Sequence, residues 1–191
     1  MKKIGLFGGS FDPVHLGHLM VAQAACEEAA LERLFFIPAA QSPFKPDLLP
    51  TPATERLRLL RLALAGKCNC EIDEQEITRG GISYTIDTVR EYAKRFPRAV
   101  LFCLIGADHV PSLGKWREAD ELARSVEFLA IPRPGQGDAA FPAPFRGRTL
   151  KGFPLGVSAS DIRARVKAGL PIDHLVAPSV AEAIRNYRLY L

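Results

Sequence analysis

Short apolar runs alternate with amphipathic helical patterns along the whole chain. Strand-like runs are predicted at residues 3–7, 34–37, 70–77, 100–105, 126–131 and 150–153. Helical patterns are predicted at residues 15–30, 54–65, 85–96, 158–168 and 179–186. This alternation predicts an α/β fold, a Rossmann-like, doubly wound parallel sheet with helices on both faces. Because no linker or internal repeat divides the sequence, we expect a single domain over residues 1–191.

The charge balance favours anionic ligands. There are 25 Lys and Arg residues against 21 Asp and Glu, a formal net charge of +4. The basic residues form no block and are not interleaved with Phe and Tyr, so we expect no nucleic-acid partner. No apolar run approaches the roughly 18 residues of a spanning helix. We therefore expect no membrane association and, since no signal peptide is recognisable, a cytoplasmic protein. The four cysteines lack paired metal-ligand spacing and are interpreted as structural thiols.

The strongest motif is the segment 8–18, GGSFDPVHLGH, between the first predicted strand and the first predicted helix. Backbone N–H groups and the helix dipole attract phosphate at such a junction. Gly8 and Gly9 would let the backbone approach a nucleotide, and Gly17 would leave room for a base or ribose. His15 and His18, three residues apart, would project to one side. Alone, such a pair also fits an unremarkable surface pair or a metal site.

A second motif lies at residues 157–163, VSASDIR, where another helix is predicted to start. Ser158 or Ser160 can cap that helix, and hydroxyls and N–H groups there can hold phosphate oxygens. Arg163, one turn further, can add a positive charge. Taken alone, the segment favours a plain N-cap followed by a solvated arginine.

Together the two motifs resemble the nucleotidyltransferase superfamily related to class I tRNA synthetases, which carries His-x-Gly-His and a Ser-rich segment ending in Arg. Residues 83–88 (SYTIDT), 105–108 (IGAD) and 133–135 (RPG), with Trp116, extend the likeness. Over nearly the whole chain the sequence is similar to the bacterial nicotinate-nucleotide adenylyltransferases. It departs from their pattern in three places: Ser10 replaces Thr, Phe44 stands where His is frequent, and Ala159 replaces a Ser that would bind phosphate.

The resemblance implies transfer of AMP from ATP to nicotinate mononucleotide, giving deamido-NAD and pyrophosphate in NAD biosynthesis. Mg2+ would accompany ATP, with no separate metal site in the protein, and a homo-oligomer is left open. The implied catalytic residues are His15, His18 and Arg163. The implied ATP-binding residues are Gly8, Gly9, Ser10, Phe11, Gly17, Gly106, Asp108, Ser158 and Ser160. The implied residues for the second substrate are Lys45, Tyr84, Thr85, Trp116 and Arg133.

Two other functions remain open from the sequence. The acceptor could be nicotinamide mononucleotide or phosphopantetheine, because the ATP half is shared across the superfamily. The chain could also be an idle module that binds ATP without releasing pyrophosphate. Thr85 and Trp116 favour a pyridine acceptor, although a lone tryptophan is also common in cores. A helix starting near Thr85 favours the acid form of the pyridine, because N–H groups there can hold a carboxylate.

Overall fold

A parallel sheet forms the centre of the protein. The computed structural model describes residues 1–44, 49–132, 135, 137–152 and 155–191. Within these ranges six strands pair in the order β3-β2-β1-β4-β5-β6, every neighbouring pair being parallel. The strands are β1 Lys3–Gly9, β2 Arg33–Pro38, β3 Cys70–Ile72, β4 Val100–Gly106, β5 Glu127–Ile131 and β6 Gly147–Thr149.

Helices connect the strands and cover the sheet. They are α1 Leu16–Ala29, α2 Ala53–Leu64, α3 Gln75–Arg79, α4 Thr85–Arg95, α5 Ala119–Ser125, α6 Ala159–Lys167 and α7 Pro178–Asn186. A 3-10 helix, Ala107–Lys115, follows β4 directly. None of the helices in the described ranges combines the length and apolarity needed to cross a membrane.

The central strands are apolar throughout because both of their faces are buried. Successive side chains of a strand point to opposite faces. Phe102 and Leu104 of β4 accordingly pack in one core cluster, and Leu101, Cys103 and Ile105 in the other. The two cores lie on opposite faces of one sheet, so the predicted α/β fold is confirmed.

From β1 to β3 the chain adds strands toward one edge of the sheet, and from β4 to β6 it adds them toward the other edge. The switch point therefore lies between β1 and β4. In an open parallel sheet this switch point leaves a crevice outside the carboxyl ends of the two strands, where ligands bind. Here β1 ends at Gly9 and β4 at Gly106. The fold therefore brings the first motif and residues 106–108 to the same crevice.

Two predicted strands differ from the structure. The strand expected at 70–77 ends at Ile72, because Asp73 Oδ1 accepts the Gln75 N–H and starts the turn into α3. The extended segment expected at 150–153 lies earlier, at Gly147–Thr149, and Phe153 is outside the described residues. A side chain at Gly147 would lie 2.6 Å from the Phe128 carbonyl oxygen, so this strand pairing requires glycine.

All four cysteines are free thiols. Cys103 is buried, Cys26 and Cys70 are partly buried, and Cys68 is exposed. Cys26 and Cys70 pack against the same core cluster.

Candidate functional site

Two adjoining pockets open at the switch point, of about 530 and about 520 Å³. The first, here called the polar pocket, is lined by the loop after β1, the start of α1 and the start of α6. The second, here called the aromatic pocket, is lined by the ends of β1 and β4, the start of α4 and the 3-10 helix. Residues belonging to both linings are Phe7, Ser10, Ala39, Ser42, Gly106, Asp108 and Ile131. The two spaces are therefore two halves of one site.

The histidine pair lies at the N-terminus of α1, in the polar pocket. The rings of His15 and His18 stack with centroids 3.7 Å apart, so both project to one side as predicted. The His15 N–H donates to Nδ1 of His18 at 3.2 Å. Since that nitrogen accepts, the proton of a neutral His18 lies on Nε2. His18 is thereby oriented with one ring donor available to the pocket.

Both imidazoles are neutral at pH 7. Burial lowers the pKa of His15 to about 4. Burial, and then the neighbouring His15, lower the pKa of His18 well below its usual range. The pair can therefore offer N–H donors to an anion but not a fixed positive charge. Nδ1 of His15 is buried and meets no hydrogen-bond partner among the described residues.

The three glycines of the first motif differ in what a side chain at each position would contact. A side chain at Gly8 would meet no atom within 4 Å, which leaves its backbone open to the aromatic pocket. A Cβ at Gly9 would lie 3.1 Å from the ring of Phe11. A Cβ at Gly17 would lie 3.0 Å from Nδ1 of His15. Gly17 therefore makes room for the His15 ring, and it also lines the polar pocket; its role in leaving room for a base or ribose stays a prediction.

The start of α6 also lines the polar pocket. Ser158 caps the helix, its Oγ accepting the Asp161 N–H at 3.1 Å and donating to Asp161 Oδ2 at 2.7 Å. Arg163 donates from Nη1 to the backbone carbonyl of Asp12 at 2.7 Å and from Nη2 to Ser160 Oγ at 3.4 Å. Arg163 thus lines the same pocket as the histidines and provides the positive charge that they lack.

Asp108 lies at the seam between the two pockets, directly after β4. A Cβ at Gly106 would lie 2.4 Å from Asp108 Oδ1, so the carboxylate folds back over the glycine. Glycine at 106 is therefore required for this placement of Asp108.

Thr85, Trp116 and Phe44 line the aromatic pocket. Thr85 is the first residue of α4. The Trp116 ring lies 5.5 Å from the ring of Phe44, and the Phe44 ring is tilted against His109 at 4.5 Å. Nε1 of Trp116 is buried and has no hydrogen-bond partner in the described part of the chain.

Of the residues expected at the second substrate, one lines neither pocket and two lie outside the described residues. Tyr84 is the N-cap of α4 and lines neither pocket, and the Arg117 guanidinium lies 4.7 Å from its ring centre. Lys45 and Arg133 lie outside the described residues.

Sequence reasoning missed Arg56. This buried residue holds the backbone at the place where the two pockets meet. It is 1% exposed, and its guanidinium donates to the carbonyls of Thr51, Ser10 and Ala39 at 2.8 to 2.9 Å. Ser10 and Ala39 line both pockets, so Arg56 fixes the backbone that they share. Its position on the apolar stripe of α2, with Leu59, Leu60 and Ala63, is the signal that could have found it.

Glu76 was also missed, and Ser83, the first residue of the 83–88 motif, was given no role of its own. Glu76 is 6% exposed at the aromatic pocket and accepts the hydroxyl of Thr88. Burial raises the pKa of Glu76, and hydrogen bonds from Thr88 and Ser83 oppose that shift. Ser83 Oγ also accepts the Ala40 N–H at 3.0 Å, which ties the segment before α4 to the segment after β2.

A doubly wound sheet with two joined pockets at its switch point, one lined by groups able to bind phosphate, is typical of nucleotide-binding α/β enzymes. The family model described as cytidylyltransferase-like matches residues 6–165. A probable nicotinate-nucleotide adenylyltransferase of Opitutus terrae is 41% identical over 98% of this chain and 97% of the relative. One from Exiguobacterium sibiricum is 41% identical over 98% of each chain. This chain therefore belongs to the nicotinate-nucleotide adenylyltransferases, within the cytidylyltransferase-like family.

A solved structure carries the same fold. It is the Plasmodium falciparum nicotinic acid mononucleotide adenylyltransferase complexed with NaAD, with a TM-score of 0.82. The match covers 100% of this chain and 98% of that one at 19% sequence identity, so the likeness concerns the fold.

Proposed function

We propose that this enzyme transfers the adenylyl group of ATP to nicotinate mononucleotide, giving deamido-NAD and pyrophosphate. The observation that carries the proposal is the pair of pockets that share Gly106 and Asp108. The polar pocket offers hydroxyl, imidazole and guanidinium groups for a triphosphate. The aromatic pocket offers an indole and a helix start for a pyridine acid. Reacting groups bound in two joined pockets meet at the seam, which lowers the entropic cost of reaction.

In the proposed reaction no side chain of the protein forms a covalent intermediate. The phosphate of the mononucleotide attacks the α-phosphorus of ATP, a new P–O bond forms, and the bond to the bridging oxygen breaks as pyrophosphate leaves. That attacking phosphate is already ionised at neutral pH, so no general base is needed. In this proposal His15 and His18 donate hydrogen bonds to ATP phosphates, and Arg163 neutralises charge on the leaving pyrophosphate.

Mg2+ would enter as part of the substrate MgATP. The described residues contain no group of three or more His, Cys, Asp or Glu side chains suited to hold a metal ion. Magnesium bound mainly through substrate phosphates, with one or two carboxylates and water, fits such a site. Asp108, at the seam, is the carboxylate that we expect nearest to the ion.

The acid form of the acceptor is favoured by the start of α4. The backbone N–H groups of Thr85 and the following residues lie at the positive end of this 11-residue helix. Glu76, in the same pocket, already accepts a hydrogen bond from the hydroxyl of Thr88, so this carboxyl has a partner within the protein.

We also propose the cytoplasm as the site of the reaction. Four free thiols are consistent with a reducing compartment.

The proposal is tested by pyrophosphate release with ATP and Mg2+. Nicotinate mononucleotide, nicotinamide mononucleotide and phosphopantetheine are compared at matched concentrations, with His18→Ala as the inactive control. The acid nucleotide is expected to have the highest kcat/KM. A higher kcat/KM for either other acceptor would contradict the acceptor assignment. Binding of ATP without pyrophosphate release from any acceptor would identify an idle module instead.

A further inference from the structure

The chain turns sharply after α7, and this turn places Tyr190 next to Asp12 of the polar pocket. The Leu189 N–H donates to the Ile184 carbonyl oxygen at 3.0 Å. Tyr190 then takes φ of 66°, in the left-handed region that bulky side chains rarely adopt. Such a conformation persists only where surrounding contacts hold it. For Tyr190 the contacts are those of its partly buried side chain.

The Tyr190 hydroxyl holds one oxygen of a buried carboxylate. It donates to Asp12 Oδ1 at 2.9 Å, while the Thr51 N–H donates to Oδ2 at 3.0 Å. Asp12 is 7% exposed, so each of these donors replaces water that the carboxylate has lost. Burial raises the pKa of Tyr190, so its hydroxyl remains a donor at neutral pH.

Asp12 in turn positions Arg163. The Asp12 backbone carbonyl accepts the 2.7 Å hydrogen bond from Arg163 Nη1. Asp12 and Arg163 both line the polar pocket. A chain of hydrogen bonds therefore runs from Tyr190 to the cation of that pocket. The hydrogen bond between Tyr190 and Asp12 joins residues that are 178 positions apart in sequence.

We propose that Tyr190 is a positioning residue for ATP: its hydroxyl fixes Asp12 and, through Asp12, the guanidinium of Arg163. This inference rests on the proposed function, since it takes the polar pocket to be the triphosphate site. A tyrosine that only anchored the end of the chain would support both pockets equally. A tyrosine acting through Arg163 affects ATP and leaves the acceptor pocket unchanged.

The test is the binding of MgATP to Tyr190→Phe, measured by titration calorimetry well below the unfolding midpoint of each variant. This substitution keeps the ring and removes only the hydroxyl. The matched control is Tyr187→Phe, because Tyr187 is exposed and its ring meets the Arg58 guanidinium instead. We expect the Kd for ATP to rise about fivefold in Tyr190→Phe and to stay within about twofold in the control.

A second measurement separates positioning from general loosening. The KM for nicotinate mononucleotide is expected to stay within about twofold of wild type in Tyr190→Phe. An equal rise for both substrates, or an unchanged Kd for ATP, overturns the inference. In an Asp12→Ala background, which removes the acceptor of the Tyr190 hydrogen bond, the loss of the hydroxyl is expected to add no further change. A full additional fivefold there would show that the hydroxyl acts by another route.

Failure of the two proposals can be told apart. If the wild-type enzyme does not bind ATP, the proposed function and this inference fall together. If wild type binds ATP and turns over the acid nucleotide while Tyr190→Phe binds ATP equally well, only the inference is wrong.

Discussion

The polar and aromatic pockets have similar volumes but are built in different ways. The polar pocket takes its working groups from two short segments, 8–18 and 157–163, each at the start of a helix. The aromatic pocket collects its lining from four strands, the start of α4, the 3-10 helix and the segment after β2. Phosphate binding can therefore be encoded locally, whereas recognition of a ring depends on how distant elements pack.

The two pockets also differ in which polar groups the protein holds in place. Arg163, Ser158 and Asp12 in the polar pocket have hydrogen-bond partners within the protein, although Nδ1 of His15 has none among the described residues. In the aromatic pocket Nε1 of Trp116 is likewise buried without a partner in the described part of the chain. A preorganised polar site costs little reorganisation during reaction. The comparison predicts effects on turnover from the polar pocket and effects on acceptor binding from the aromatic pocket.

Replacement of His18 by alanine gives the largest expected effect. The variant loses an oriented N–H donor at the reacting phosphates, so kcat should fall by about 100-fold or more. Steady-state pyrophosphate release checks this, with the exposed His174→Ala as control. Near-normal turnover in His18→Ala would show that this residue of the polar pocket takes no part in the reaction.

Acid should destabilise the fold through His15. Its pKa is about 4 when folded, against about 6.5 in an unfolded chain, so the unfolded state binds more protons between these values. The free energy of unfolding should fall as pH drops from about 6.5 to 4, by at most about 3 kcal/mol from this group, and level off below.

Urea denaturation between about pH 4 and 6.5 measures how steeply the free energy of unfolding depends on pH. His15→Asn should flatten this slope, leaving the part that His18 contributes, while the exposed His174→Asn should keep it. An unchanged slope in His15→Asn would mean that the buried imidazole is not the source of the pH dependence.

Replacement of Trp116 by alanine should act on the acceptor alone. Loss of a stacking surface is expected to raise the KM for nicotinate mononucleotide about tenfold and leave the KM for ATP within about twofold. Trp116→Phe, which keeps an aromatic face, should lose less. A larger change in the KM for ATP would show that the two pockets are not separable.

The smallest effect is expected from Ala159→Ser at the start of α6. The added hydroxyl supplies one more donor in the polar pocket, so the KM for ATP should fall about two- to threefold. Ala164→Ser, at an exposed position of the same helix, is the control. No difference between the two variants would mean that ATP does not approach position 159.

The sequence predicted those parts of the site that depend on local spacing. His15 and His18 stack because they are three residues apart at a helix start, and Ser158 caps α6 because its hydroxyl meets the N–H three residues on. Tyr190 and Asp12 could not be paired in this way, because only the tertiary fold brings them together. The placement of β6 was missed for a similar reason, since it depends on the fit of Gly147 against Phe128.

The two outermost strands of the sheet, β3 and β6, are only three residues long each. Glu71 of β3 accepts two hydrogen bonds from Arg33, and Arg148 of β6 donates to the Glu28 carbonyl oxygen. An open strand edge is where a foreign strand can add on, and short, charged edges offer such a strand little to pair with. Because β3 and β6 are short and charged, the long apolar central strands are shielded from pairing with strands of other molecules.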